Sequence, residues 1–294
     1  MTINMPLLDE MLREQLKVWP LAAANYSALA SSERRRFKIG SLEGAFQCNP
    51  ARIVSTGASV DKSAIAERPC FLCEANRPDE QYALPFSVAG GGEWDILVNP
   101  YPILPWHFTV ASKSHIPQKG IPLDMIVLAE RLPGAVMFYN GARAGASAPD
   151  HLHFQMVLKS ELPLINYLEA GGVEDSLPYQ VWHRRVTPDS EGMKIIREFA
   201  SYRGVDRFSG APDADLVNSF AWMGDDGMLH LAAVPRTAHR PDCYSAPEGE
   251  RIMVSPGAID VAGLIILPRK DDFTRITETD LIKIFDDTMM IGYR

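Results

Sequence analysis

The segment Asp150–Lys159, DHLHFQMVLK, constrains the fold most. Successive side chains of a β-strand point to opposite faces. The alternation therefore sets His151, His153 and Gln155 on one face and Leu152, Phe154 and Met156 on the other. Such a strand packs a dry face on a core and offers a polar one. The stretch before it, GARAGAS (141–147), is built of small residues, so its backbone N–H groups can approach an anion closely. Ser147 adds a hydroxyl donor.

The residues alone admit a half-exposed strand with no chemistry, or either of two reactive sites. Histidines at i and i+2 can share one catalytic metal with a third ligand from elsewhere. Alternatively, one imidazole can attack phosphorus while Gln155 and the glycine-rich loop hold the phosphate, a covalent route that splits a difficult transfer into two easier steps. A metal site has no need of the loop, so the loop favours phosphate chemistry.

Along the chain, LLDEMLREQLKV (7–18) has helical spacing of apolar residues, as do DMIVLAERL (124–132) and SEGMKIIREFASY (190–202). Residues 50–80 are rich in loop formers. WDILVNPYPIL (94–104) begins as a strand, HFTVASKSHIP (107–117) is a second, VMFYNG leads into the glycine-rich turn, and VAGLIIL (261–267) reads as a buried strand. A faint internal echo links 107–117 to HLAAVPRTAHRP (230–241), and 150–159 to DVAGLIILPR (260–269), as a duplicated α+β unit would leave. The second copy has Val261, Gly263 and Ile265 at the places of His151, His153 and Gln155, so only the first keeps the polar face. The division expected is 1–165 and 166–294, with the second half a scaffold that closes the pocket through residues such as Arg236 or His239.

A net charge of −8 gives no general attraction for nucleic acid or an anionic membrane, so an anionic ligand needs a local pocket. No apolar run approaches the length that spans a bilayer. The N-terminus is amphipathic and charged, unlike a signal peptide. Four cysteines in 294 residues do not make a disulfide framework. These features set the expectation of a cytoplasmic protein.

Cys70-Phe-Leu-Cys73 has the spacing of half a structural zinc site, against the alternative of two buried thiols. Arg52, in NPAR, and Arg77 are candidate phosphate ligands. His107 is a candidate for lining the pocket.

The run N-G-x-x-x-G-A-S-x-P-D-H-L-H-F-Q resembles the active-site segment of the histidine-triad superfamily. It is most similar to the transferase branch of galactose-1-phosphate uridylyltransferases, diadenosine tetraphosphate phosphorylases and GDP-L-galactose phosphorylases. The spacing from Ser147 to the first histidine is closer to the phosphorylases. The resemblance implies an α+β fold of two tandem histidine-triad-like units on antiparallel sheets with flanking helices. It implies His153 as nucleophile, Gln155 as its phosphate-binding partner, and Asn140, Gly145 and Ser147 as the anion loop. DILVNPYPIL resembles the strand that lines the family's nucleoside pocket, which implicates Asn99 and Tyr101. His115 and His151 would complete a structural site for zinc, or iron, with Cys70 and Cys73. The implied reaction is nucleotidyl transfer from a nucleotide-sugar or dinucleotide polyphosphate to phosphate or a sugar 1-phosphate, through a nucleotidyl-histidine, in a monomer or a homodimer. A hydrolase of the same superfamily and a non-catalytic nucleotide-binding protein are the alternatives.

Overall fold

The computed structural model describes residues 3–57, 65, 67–187, 189–201 and 215–291. Tyr202, at the end of the helix expected over 190–202, lies outside them. The alternating segments read above assemble into one eight-stranded antiparallel sheet. Its order is β3 (Ala83–Ser87), β4 (Glu93–Val98), β5 (His107–Ser112), β7 (His153–Leu158), β6 (Ala135–Asn140), β9 (Val217–Met223), β10 (Leu229–Pro235), β8 (Trp182–Val186). The chain is α+β, and two consecutive sets of strands meet where β6 pairs with β9.

Both faces of this sheet are covered, which is why β5, β6 and β10 are buried along their whole length. On one face, Val98, Phe108, Met137, Tyr139, Phe154 and Met156 pack with Leu8 and Leu12 of the helix Met5–Val18, with the helix Asp124–Arg131 and with Phe199 of the helix Ser190–Ser201. On the other, Val136, Phe138, Val157 and Phe220 pack beneath a small sheet and the helices Pro163–Glu169 and Glu278–Thr288. The small sheet has the order β1 (Arg34–Ile39), β2 (Leu42–Cys48), β11 (Leu264–Leu267), with β11 parallel to β2. No helix among the described residues is long and apolar enough to cross a membrane.

Two details depart from the sequence reading. Val261 closes a short helix, Ala258–Val261, and the strand after it joins the small sheet, so 260–269 does not occupy a place equivalent to β7. A four-residue apolar run such as LIIL is buried in any sheet, and its pattern does not name its partner. The second detail is His151, which precedes β7 in a turn closed by its N–H to the Ala148 carbonyl. It therefore does not share the face of His153 and Gln155.

Candidate active site

At one end of the large sheet, on the face that carries Gln155, the packing opens into a cavity of about 470 Å³. His153, Gln155, Ser147, Asn99, Tyr101, Asn140, Gly145 and Arg52 all line it. Beyond Gln155 the same face of β7 closes again at Val157, so the strand lines the cavity only at its start.

His153 is 3% exposed. Its Nδ1–H donates to the carbonyl of His151 at 2.8 Å, which leaves Nε2 as the unprotonated nitrogen. Burial pushes its pKa down to about 4, so the ring is neutral at physiological pH. Its backbone is also held, because the N–H donates to Gln118 Oε1 at 2.8 Å and the carbonyl accepts from Gln118 Nε2 at 2.9 Å.

Gln155 is oriented by His107. The N–H of Ile103 donates to His107 Nδ1 at 3.2 Å, so Nε2 carries the proton and donates to Gln155 Oε1 at 2.8 Å. The amide nitrogen of Gln155 is then the group left for a ligand. His107 is fully buried, and burial together with the nearby Arg52 holds its pKa at about 3. Asn99 closes a tight turn by accepting from the N–H of Tyr101 at 2.9 Å, and donates to Thr109 Oγ1 at 3.1 Å. It thus shapes the cavity wall as much as it lines it.

The glycine-rich loop is set by the C-terminal half. Gly145 has φ +92, and a Cβ there would stand 2.6 Å from Gly257 Cα, so the position needs glycine twice over. Asn140 Oδ1 accepts from the Ala258 N–H at 2.7 Å and from Asn218 Nδ2 at 2.8 Å. Asn218 also donates to the Ala144 carbonyl and accepts from Arg236 Nη1, both near 2.8 Å. Arg236 is completely buried. It donates to the carbonyls of Thr288, Pro256 and Ala238, and so ties loops together rather than facing the cavity.

Charged side chains of both signs line the cavity. Arg52 donates to the Tyr101 carbonyl through Nη1, while its buried Nε has no hydrogen-bond partner. Burial lowers its pKa to about 10. Asp260, beside Arg52 and Arg236, accepts from the N–H groups of Gly257 and Ile266, and burial raises its pKa to about 6. Arg68 and Arg240 were not singled out in the sequence, whereas His239 lines the cavity as expected of a residue that closes it. Arg68 donates to the Ser147 carbonyl at 3.0 Å and lies over the Phe71 ring. His239 and Arg240 enter from the C-terminal half. A lone arginine in a loop has no pattern to mark it.

The four remaining candidates come together. The ligand atoms of Cys70, Cys73, His115 and His151 lie within 4.8 Å of one another, an arrangement that could hold a metal ion. Cys70 Sγ is 3.2 Å from His151 Nδ1, and Cys73 Sγ is 3.2 Å from His115 Nδ1. His151 Nε2–H donates to the Ser112 carbonyl at 2.7 Å, which leaves Nδ1 deprotonated and aimed at the two sulfurs, as a ligating imidazole requires. His153 is outside this group, so the two histidines have separate surroundings. Arg77 is bound to Asp95 and to the Leu72 carbonyl, and braces this knuckle instead of lining the cavity.

Residues 11–158 match the family model described as a domain of unknown function, DUF4922. No curated protein matches the chain in sequence. In structure it is similar to yeast Ap4A phosphorylase Apa2, with TM-score 0.63 and 15% identity over 100% of both chains. The same yeast protein in complex with AMP gives TM-score 0.62 at 14% identity, covering 97% of this chain and 96% of that one. Its complex with Ap4A gives 0.63 at 14% over 100% of both. At these identities the likeness is one of fold.

Proposed function

This chain belongs to the DUF4922 family, and we propose that it is a nucleotidyltransferase of the phosphorylase type, acting on a dinucleotide polyphosphate or a nucleotide-sugar. The observation that carries the reading is His153. It is a neutral, buried imidazole with Nδ1–H engaged and Nε2 left for the cavity, beside an amide donor and a glycine-rich loop. Nε2 attacks the α-phosphorus. The P–N bond forms as the P–O bond to the leaving group breaks, releasing a nucleoside polyphosphate from a dinucleotide or a sugar 1-phosphate from a nucleotide-sugar. An oxygen of inorganic phosphate or of a sugar 1-phosphate then attacks the same phosphorus and returns His153 to its neutral form. In this reading the Gln155 amide, Ser147, Arg52 and the loop N–H groups offset charge on the non-bridging oxygens, which their shared place in the cavity lining supports. Asn99, Tyr101 and Asn140 line the space for the rest of the substrate. The likeness of fold to a protein crystallised with AMP and with Ap4A supports a nucleotide in a cavity of this size.

The Cys70, Cys73, His115 and His151 set fits zinc, with iron the second candidate for the same donors. A bound ion would fix the knuckle against the turn that precedes β7. The residues then do the rest, because His151 offers its carbonyl to the nucleophile.

The test is a trapping experiment. The protein is incubated with α-labelled dinucleotide polyphosphates and nucleotide-sugars without acceptor, and the expected product is an acid-labile, base-stable label on the protein that phosphate or sugar 1-phosphate discharges. Label that survives in His153→Ala would overturn the assignment. Discharge to water at the same rate with or without acceptor would make the protein a hydrolase.

A further inference from the structure

The regular pairing of β6 with β7 stops at Phe138 and Gln155. Continued in register, Asn140 would face His153. The strands instead part there and release the loop 141–152, and the side chain of Gln118 fills the gap. Its Nε2 donates to the carbonyls of Asn140 and His153 at 2.8 and 2.9 Å, and its Oε1 accepts from the His153 N–H at 2.8 Å. Its own N–H donates to the Pro149 carbonyl at 2.9 Å. Gln118 is 2% exposed, and both amide protons and the amide oxygen are used.

One carboxamide thus does the work of a missing strand residue. It binds the last residue before the glycine-rich loop and the first strand residue after it, and that second residue is the histidine with its Nε2 toward the cavity. It is held to both backbone polar groups of His153, while the His153 ring is held to the carbonyl two residues earlier. We infer that Gln118 is a positioning residue, which sets the backbone of His153 and the width of the anion loop so that Nε2 and the loop donors address one phosphorus. The inference rests on the reading of His153 as nucleophile. It follows from physical reach: a displacement of about 1 Å at a reacting atom can cost about 10²-fold in rate.

The experiment compares wild type with Gln118→Met, which keeps the length and removes every polar contact. It also uses Gln118→Glu, which keeps an acceptor for the His153 N–H and loses the donor to the two carbonyls. Two readouts are taken on variants whose unfolding is cooperative. In the first, ¹⁵N-histidine NMR, with His153 assigned by its loss in His153→Ala, should show one tautomer protonated at Nδ1 in wild type and a mixture in Gln118→Met. In the second, kcat for transfer should fall about 10²-fold with KM within about threefold, since the ground-state contacts of the substrate are elsewhere. Should Gln118→Met not fold, Gln118→Glu is read in the same two ways, with the same direction of change expected. An unaltered His153 tautomer in the folded variant overturns the inference, as does an unaltered kcat. A wild type that transfers nothing defeats the proposed activity, and the NMR comparison still decides the role of Gln118.

Discussion

The Nδ1–H of His153 donates to the carbonyl oxygen of His151, 2.8 Å away, while the ring of His151 turns the other way and faces Cys70 and Cys73. Two histidines that a period-two pattern places side by side thus have different neighbours, and they communicate through one backbone carbonyl. The ring of His153 is set by the backbone of the residue whose own ring belongs to the cysteine cluster.

That relationship predicts the effect of metal removal. Elemental analysis should find one zinc or iron per chain, and Cys70→Ser/Cys73→Ser should lose it. Turnover should fall about 10–100-fold, because the carbonyl that holds His153 loses its anchor. Full activity in a metal-free double variant would separate the cluster from the site.

His107 predicts a second loss. Without it Gln155 Oε1 loses its strongest donor, and the amide can rotate its oxygen toward the anion. His107→Phe should lower kcat by about 10²-fold, in the range found for loss of one charge-stabilising donor. Steady-state kinetics with saturating acceptor would measure it.

Asn218 is the link between Arg236 and the glycine-rich loop. Asn218→Ala leaves the Ala144 carbonyl and one Nη1–H of the buried Arg236 without their partner, while Nη1 keeps the Pro256 carbonyl. Each such group costs about 1–3 kcal/mol, so urea unfolding should show a loss of about 2 kcal/mol or more. Val261→Ala, in the short helix of the C-terminal half, should cost stability and leave the chemical step unchanged.

A pH effect should arise far from the cavity. His183 Nε2 is 3.1 Å from His230 Nδ1, His230 Nε2 is 3.2 Å from Asp226, and the His183 ring lies parallel to Trp222. Burial first, and then His230 and Arg184, push the His183 pKa to about 4. The unfolded chain, with an ordinary histidine near 6.5, binds the proton sooner. The stability from this residue is therefore complete above pH 6.5 and lost as pH falls toward 4. His183→Phe keeps the ring contact with Trp222 and should flatten that part of the pH profile of thermal unfolding.

Legibility in the sequence followed locality. The strand at 153–158, the glycine-rich loop and the helices at 7–18 and 124–132 rest on short-range patterns, and the structure has them within a few residues. The candidates lining the cavity were found because chemistry concentrates unusual residues in one short run. Gln118 and Arg68 were not found, because a single glutamine or arginine acquires its meaning only from backbone groups distant in sequence. Arg236 was expected to help close the pocket, yet it is buried and spent on Asn218 and on backbone carbonyls. The partner of β11 was hidden for the same reason, since an all-apolar strand carries no register of its own.

The parallel pairing of β11 with β2 has a consequence for how the molecule is made. Residues 42–48 leave the ribosome with one edge covered by β1, and the chain that covers the other edge follows about two hundred residues later. At about 5–20 residues per second the wait is of the order of 10–40 seconds. Over that interval Arg52 already exists without Asp260 or the 255–258 loop, and the edge of β2 stands open to any other strand. A nascent chain of this protein is therefore most exposed to mispairing in its first half, and its cavity acquires its final wall only when synthesis is nearly complete.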